Sequence, residues 1–204
     1  MLSTNYNERY QKEDILAFLQ ANYQIHSTIS LGILDNYEIT YATTLEDYYD
    51  IFDIAYDHDA SNYLVNFFNL DILPKEVRTL LYPIHRHTIG DLCELVEQYG
   101  TKPSIKYKSV LGSECDAVSV FKYLQERLKY RNIDVSNINP SLDLVDVVKH
   151  YPELVDEILL LAPKAIPPIY KKGTFFRKKL FFEEDLKLRD VINRIDFSSI
   201  NKVA

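Results

Sequence analysis

The triplet His85-Arg86-His87 is the most chemically suggestive run in this sequence. Imidazoles two positions apart on an extended segment face the same way, and a neutral imidazole nitrogen is a common metal ligand. On that geometry His85 and His87 are the candidate metal ligands, or the working histidines of an unrecognised enzyme, with no third ligand close in sequence. Cys93 falls beside an apolar helical stripe, which suits a packed thiol better than a thiolate nucleophile. Asp47, Asp50, Asp53, Asp57 and Asp59 form an acidic ladder. They lack the glycine and closing glutamate of a calcium loop, so they read as a solvated helix face. The run Phe175-Phe176-Arg177-Lys178-Lys179-Leu180-Phe181-Phe182 mixes aromatics with cations, as membrane-surface segments and single-strand stacking platforms do. Glu183, Glu184 and Asp185 weaken its field, and the phenylalanines read more simply as core residues with basic heads reaching water. No glycine-rich phosphate loop, nucleophile elbow or framed pair of carboxylates occurs, so no catalytic residue is assigned.

Charge narrows the partner classes. The chain of 204 residues carries 23 Lys+Arg against 30 Asp+Glu, a formal net charge of −7. That balance argues against general nucleic-acid binding, which needs a basic surface to neutralise phosphates. The charge is also lopsided: residues 1–70 hold 11 acids and 2 bases, whereas 164–194 hold 9 bases and 4 acids. Such ends either attract each other or dock partners of opposite charge. No apolar run approaches the length of a membrane span, the first residues are too polar for a signal peptide, and two cysteines make no disulfide framework, so the expectation is a cytoplasmic protein without a membrane partner.

The elements that must position these groups are helices. Over 89–99, Thr88 is the N-cap with Asp91 three residues on, Leu92, Leu95, Val96 and Tyr99 make the apolar face, and Gly100 is the left-handed stop. Over 115–130, Ala117, Phe121, Leu124 and Leu128 recur at helical spacing. Further helices are expected at 12–22, 45–54, 59–69, 75–82, 143–150, 152–162 and 186–195. Two segments read as extended, Tyr37–Ala42 and Ile105–Lys108, and if they pair, acid faces base. On 45–54, Leu45, Tyr48, Tyr49 and Phe52 supply the buried stripe and leave the aspartates outward.

The sequence also rhymes with itself. Thr44-Leu45-Glu46 recurs as Ser141-Leu142-Asp143, and Ile89-Gly90-Asp91-Leu92 recurs as Leu188-Arg189-Asp190-Val191. The two signals are 44 residues apart in the first half and 46 in the second, which divides the chain into halves at 1–100 and 105–204, with linker chemistry at Gly100-Thr101-Lys102-Pro103-Ser104.

Val120-Phe121-Lys122-Tyr123-Leu124-Gln125-Glu126-Arg127-Leu128, then Ile133-Asp134 and Pro140-Ser141-Leu142-Asp143, together with Thr88-Ile89-Gly90-Asp91-Leu92, give the chain a resemblance to acyl carrier proteins, here in tandem. The resemblance implies small helical bundles and an acidic helix presented to partner proteins. It also implies a phosphopantetheine arm on a serine at the start of the second helix, where the helix dipole favours phosphate. The matching stretch is Asp57-His58-Asp59-Ala60-Ser61, with His58 where the serine would stand and Ser61 one turn later; the second half has His150-Tyr151-Pro152 there. The expectation is therefore a mainly α protein of two carrier-like bundles with a minor β pairing, of bacterial type. It would act without catalysis or cofactor, docking a protein with a basic surface through Asp47, Asp50, Asp53, Asp57, His58 and Asp59. The alternatives are a carrier modified with phosphopantetheine at Ser61 and an enzyme using His85 and His87.

Overall fold

The computed structural model describes residues 8–30, 37–51, 58–106, 109–110, 113–174, 177–196 and 201–203. It is mainly helical. In chain order the described elements are α1 (Lys12–Ser30), α2 (Leu45–Ile51), α3 (His58–Phe68), α4 (Pro74–Leu81), a 3₁₀ turn (Ile84–Arg86), α5 (Ile89–Tyr99), β1 (Ser104–Lys106), β2 (Ser109–Val110) and β3 (Ser113–Glu114). Then come α6 (Asp116–Tyr130), α7 (Leu144–His150), α8 (Pro152–Leu161), β4 (Tyr170–Thr174), β5 (Arg177–Phe181), α9 (Leu188–Ile192) and β6 (Asn201–Val203). The strands form three two-stranded pairs, β1 with β6, β2 with β3 and β4 with β5.

The chain divides into two compact units. One comprises Met1–Gln20 and Asn36–Ser104, the other Ala21–Asp35 and Ile105–Ala204. The second unit thus takes in a stretch that the division at residue 100 gave to the first half. The reason lies in α1, which has no glycine or proline to stop it near residue 22 and runs on to Ser30. Its first part buries Ile15, Phe18 and Leu19; its second part buries Tyr23, Ile25 and Thr28.

Unit 1 has an aromatic core. Phe67 and Phe68 pack edge to face 5.0 Å apart, Phe18 lies 5.4 Å from Phe67 and 5.9 Å from Phe68, and Tyr10 meets Phe68 edge-on at 6.0 Å. Unit 2 is aliphatic instead, built on Val120, Leu124 and Leu128 of α6, Leu144, Val147 and Val148 of α7, and Leu154, Val155, Ile158 and Leu159 of α8.

Different cores carry the same backbone clasp. In unit 1 the amide of Leu45 donates to the carbonyl of His87 (2.8 Å), Ile89 to Thr43 (2.8 Å) and Gly90 to Tyr41 (2.9 Å). In unit 2 Leu144 donates to Leu186 (2.9 Å), Leu188 to Leu142 (2.9 Å) and Arg189 to Pro140 (3.0 Å). Every donor and acceptor has moved by 99 positions. The cap moves with them: the amide of Thr88 donates to Asp91 Oδ2 at 2.7 Å, and that of Lys187 to Asp190 Oδ2 at 2.8 Å. So do the buried side chains, Leu45, Tyr48, Tyr49, Ile89, Leu92, Cys93 and Val96 being matched by Leu144, Val147, Val148, Leu188, Val191, Ile192 and Ile195. The second pair of sequence matches, Ile89 with Leu188, is therefore in register. The first is two residues out: Thr44-Leu45 corresponds to Asp143-Leu144, and the separation of the two signals is 44 residues in both units. Ser141 was a false lead because its hydroxyl serves a local turn, donating to Asn139 Oδ1.

Two further expectations change. Residues 37–42 form no strand: Ile39 is buried, but Tyr37 and Tyr41 are exposed, and the partner of β1 is β6. Gly100 follows α5, yet its φ of −81° is ordinary extended backbone. What demands glycine is space, since a Cβ there would stand 2.5 Å from the Val96 carbonyl oxygen and 3.0 Å from the Tyr10 ring. Three segments meet at that point, with Leu70 bridged to Gly100 and Arg9 to Thr101.

Candidate functional site

The acidic helix α2 is held at its start by the clasp of unit 1 and by Thr44, whose Oγ1 accepts the amide of Asp47 at 3.0 Å. Leu45, Tyr48 and Tyr49 are buried, which turns Glu46 and Asp47 outward, and both are exposed. Asp50 lies on α2, and His58 and Asp59 open α3, whereas Asp53 and Asp57 lie outside the described residues. Ser61 sits in the first turn of α3 and is 2% exposed, so a phosphopantetheine arm there would need the packing around the hydroxyl to open.

His85 and His87 do not lie on an extended segment. Residues Ile84–Arg86 form a 3₁₀ turn, closed by the amide of His87 donating to the Ile84 carbonyl at 3.1 Å. His85 is exposed, and His87 turns toward Asp91, Nδ1 to Oδ2 3.5 Å, the same carboxylate that caps α5. The premise that placed both imidazoles on one side is thereby removed. Among the described residues no three His, Cys, Asp or Glu side chains come together as a metal-binding group. Cys93 is wholly buried on α5, and burial, with Glu13, Glu97 and Glu94 adding to it, pushes its thiol up to about 12. A neutral buried thiol is inert.

Among the described residues of unit 2, a buried charged constellation joins side chains that are far apart in sequence. Glu157 of α8 is 0% exposed. Its Oε2 accepts from Arg127 Nε at 3.1 Å, and its Oε1 lies 3.6 Å from Arg131 Nη1, Arg127 belonging to α6 and Arg131 being the residue that caps its C-terminal end. Burial raises the carboxyl above its ordinary value, and the two guanidinium groups pull it back only in part. Next to it on the chain, Asp156 accepts from Asn22 Nδ2 at 2.7 Å and contacts His26 Nε2 at 3.0 Å. Asn22 and His26 come from the second part of α1. The arrangement ties α1 and α6 to α8 within unit 2 by charge-assisted bonds. A histidine beside a carboxylate can orient and exchange a proton. Arg127 and Arg131 stand four residues apart at the end of α6, and Glu157 stands among Leu154, Ile158 and Leu159 in a stretch that reads as apolar helix. An acid set beside the apolar stripe of that helix is the signal the sequence offers.

Compared with protein-family models, with curated proteins and with solved structures, the chain matches none of them.

Proposed function

We propose that this chain is a non-catalytic interaction protein whose acidic helix α2 docks the basic surface of a protein partner. The supporting observation is the division of that helix: Leu45, Tyr48 and Tyr49 are buried while Glu46 and Asp47 face outward from a start fixed by the clasp. Fixed carboxylates steer an oppositely charged partner and set its register, and surrounding tyrosines supply contact area. Tyr37, Tyr41 and Tyr63 in unit 1 are each exposed. Asp50, Asp53, Asp57 and Asp59 extend the same acidic character along the sequence, and the resemblance to acyl carrier proteins adds a scaffold known for presenting such a helix.

The test is charge reversal with an internal control. Asp47→Lys combined with Asp50→Lys should abolish capture of the partner in quantitative affinity pull-down, while Asp146→Lys, at the corresponding place on α7, should leave it intact. An unchanged partner profile with Asp47 and Asp50 both reversed would discard the proposal. Intact-mass measurement after coexpression with a phosphopantetheine transferase separates this reading from a modified carrier: the interaction reading expects the unmodified chain at 23.9 kDa.

A further inference from the structure

The clasp of unit 1 brings an acid and a base together at one end and leaves both unpaired. Thr44 bridges Thr88 in antiparallel sense, and the amide of Leu45 reaches the carbonyl of His87 at 2.8 Å. The next residue on each segment is Glu46 on one and Arg86 on the other, and α2 packs against the 3₁₀ turn that ends at Arg86. Thr43, Leu45 and Ile89 are buried, whereas Glu46, Asp47, His85 and Arg86 are all exposed. Residues facing each other across such a bridge stand about 5 Å apart, so charges just beyond it lie inside one screening length of about 10 Å. Yet among the described residues neither Glu46 nor Arg86 makes an ion pair, with each other or with any third side chain.

The frame does not require these charges. In unit 2 the positions corresponding to Glu46 and Arg86 hold Val145 and Asp185, and the clasp closes there all the same. Where unit 2 does fasten its clasp with an ion pair, Lys187 Nζ to Asp143 Oδ1 at 2.7 Å, unit 1 has the uncharged Thr88 and Thr44. The charged edge of unit 1 is therefore left for something outside the unit. A uniformly basic surface would be drawn to Glu46 and Asp47 and pushed away by Arg86; a uniformly acidic one would meet the reverse. A segment carrying a cation and an acid a few residues apart satisfies both sides, and a misplaced like charge is what rejects the others. Resting on the docking reading of α2 above, we infer that the partner meets unit 1 through a polypeptide segment of mixed sign. Its cation lies on Glu46 and Asp47 and its acid on Arg86, and Arg86 is the residue that turns away uniformly basic proteins.

Fluorescence anisotropy of the full chain in low salt, with labelled peptides of equal length in a serine and glycine background, tests it. One peptide carries lysines only, one glutamates only, and two carry a lysine pair and a glutamate pair in either order. The native chain should bind one of the mixed peptides about 2- to 5-fold more tightly than the lysine-only peptide, the range of one exposed ion pair. Arg86→Glu should invert that preference. It puts an acid where unit 2 already has Asp185, so the clasp should still close and the chain melt as before. Arg86→Gln is the second variant should the first fail to fold, and it should erase the preference. If the native chain binds the lysine-only peptide at least as tightly as both mixed ones, or if neither Arg86 variant shifts the ratio, the inference is overturned and the docking reading of α2 stands. If the lysine-only peptide binds no better than the glutamate-only one, or none of the four binds with protein near 1 mM, the docking reading fails and takes the inference with it.

Discussion

Removing both arginines around Glu157 should produce a stability loss that depends on pH in a calculable way. In Arg127→Met with Arg131→Met the aliphatic stems are kept and the cations are gone, leaving a carboxyl that is 0% exposed. Stranding a buried charge in this manner typically costs about 3–5 kcal/mol. The protein has a cheaper route, which is to bind a proton there. From an unfolded value of 4.5, holding Glu157 neutral at pH 7 costs about 1.36 kcal/mol for each of 2.5 units, so the ionic part of the loss is capped near 3.4 kcal/mol. Because Glu157 is raised already in the native chain, part of that cost is present before mutation. The sign follows from the raised value. Relative to the unfolded chain, a raised carboxyl favours folding most below pH 4.5, and that contribution is lost as pH climbs through the folded value. The folded value is higher in the double variant, so the gap to the native chain should be widest at pH 7–8 and narrow toward 4.5. Urea unfolding followed by circular dichroism across that range reads the gap directly. Adding Glu157→Gln to the double variant should recover much of the loss at pH 7. A gap that stays constant from pH 8 to 5, or a triple variant no better than the double, would refute the reasoning.

Gly100→Ala should lower stability by about 1–3 kcal/mol, seen as a reduced melting temperature, because its Cβ meets the Val96 carbonyl oxygen at 2.5 Å. Of the two thiols, the partly exposed Cys115 should react promptly with a thiol reagent at pH 8 and Cys93 only on unfolding. Since the Cys93 thiol is raised from 9.0 to about 12, the native state should keep its stability below pH 9 and lose it progressively from there toward pH 12, read by alkaline melting.

Local signals in the sequence were legible where one stretch of chain settles the matter. Thr88 and Asp91 cap α5 reciprocally, and the apolar stripe of Leu92, Leu95 and Val96 is buried as its spacing requires. The mainly helical class follows from several such stripes. What failed depended on distant segments. Gly100 is needed because Tyr10 and Val96 crowd it, which spacing along one helix cannot reveal. The alternation of Tyr37, Ile39 and Tyr41 has no strand to pair with among the described residues, and periodicity alone does not make a sheet. His85 and His87 were read on an extended backbone, but the turn after Pro83 coils that segment and sends His87 to Asp91. The Glu157 cluster unites residues 26, 127, 131, 156 and 157, which no local window holds together.

The clasp that recurs 99 residues apart fastens the start of α2 to the start of α5, and the start of α7 to the start of α9. Each unit is thus a closed frame that holds different elements between those two ends. In one frame α3 is followed by α4, and in the other α8 is followed by a hairpin. For a protein engineer that makes the stretch between α8 and α9 a socket: a foreign loop or short peptide grafted in place of the hairpin would leave every clasp hydrogen bond untouched.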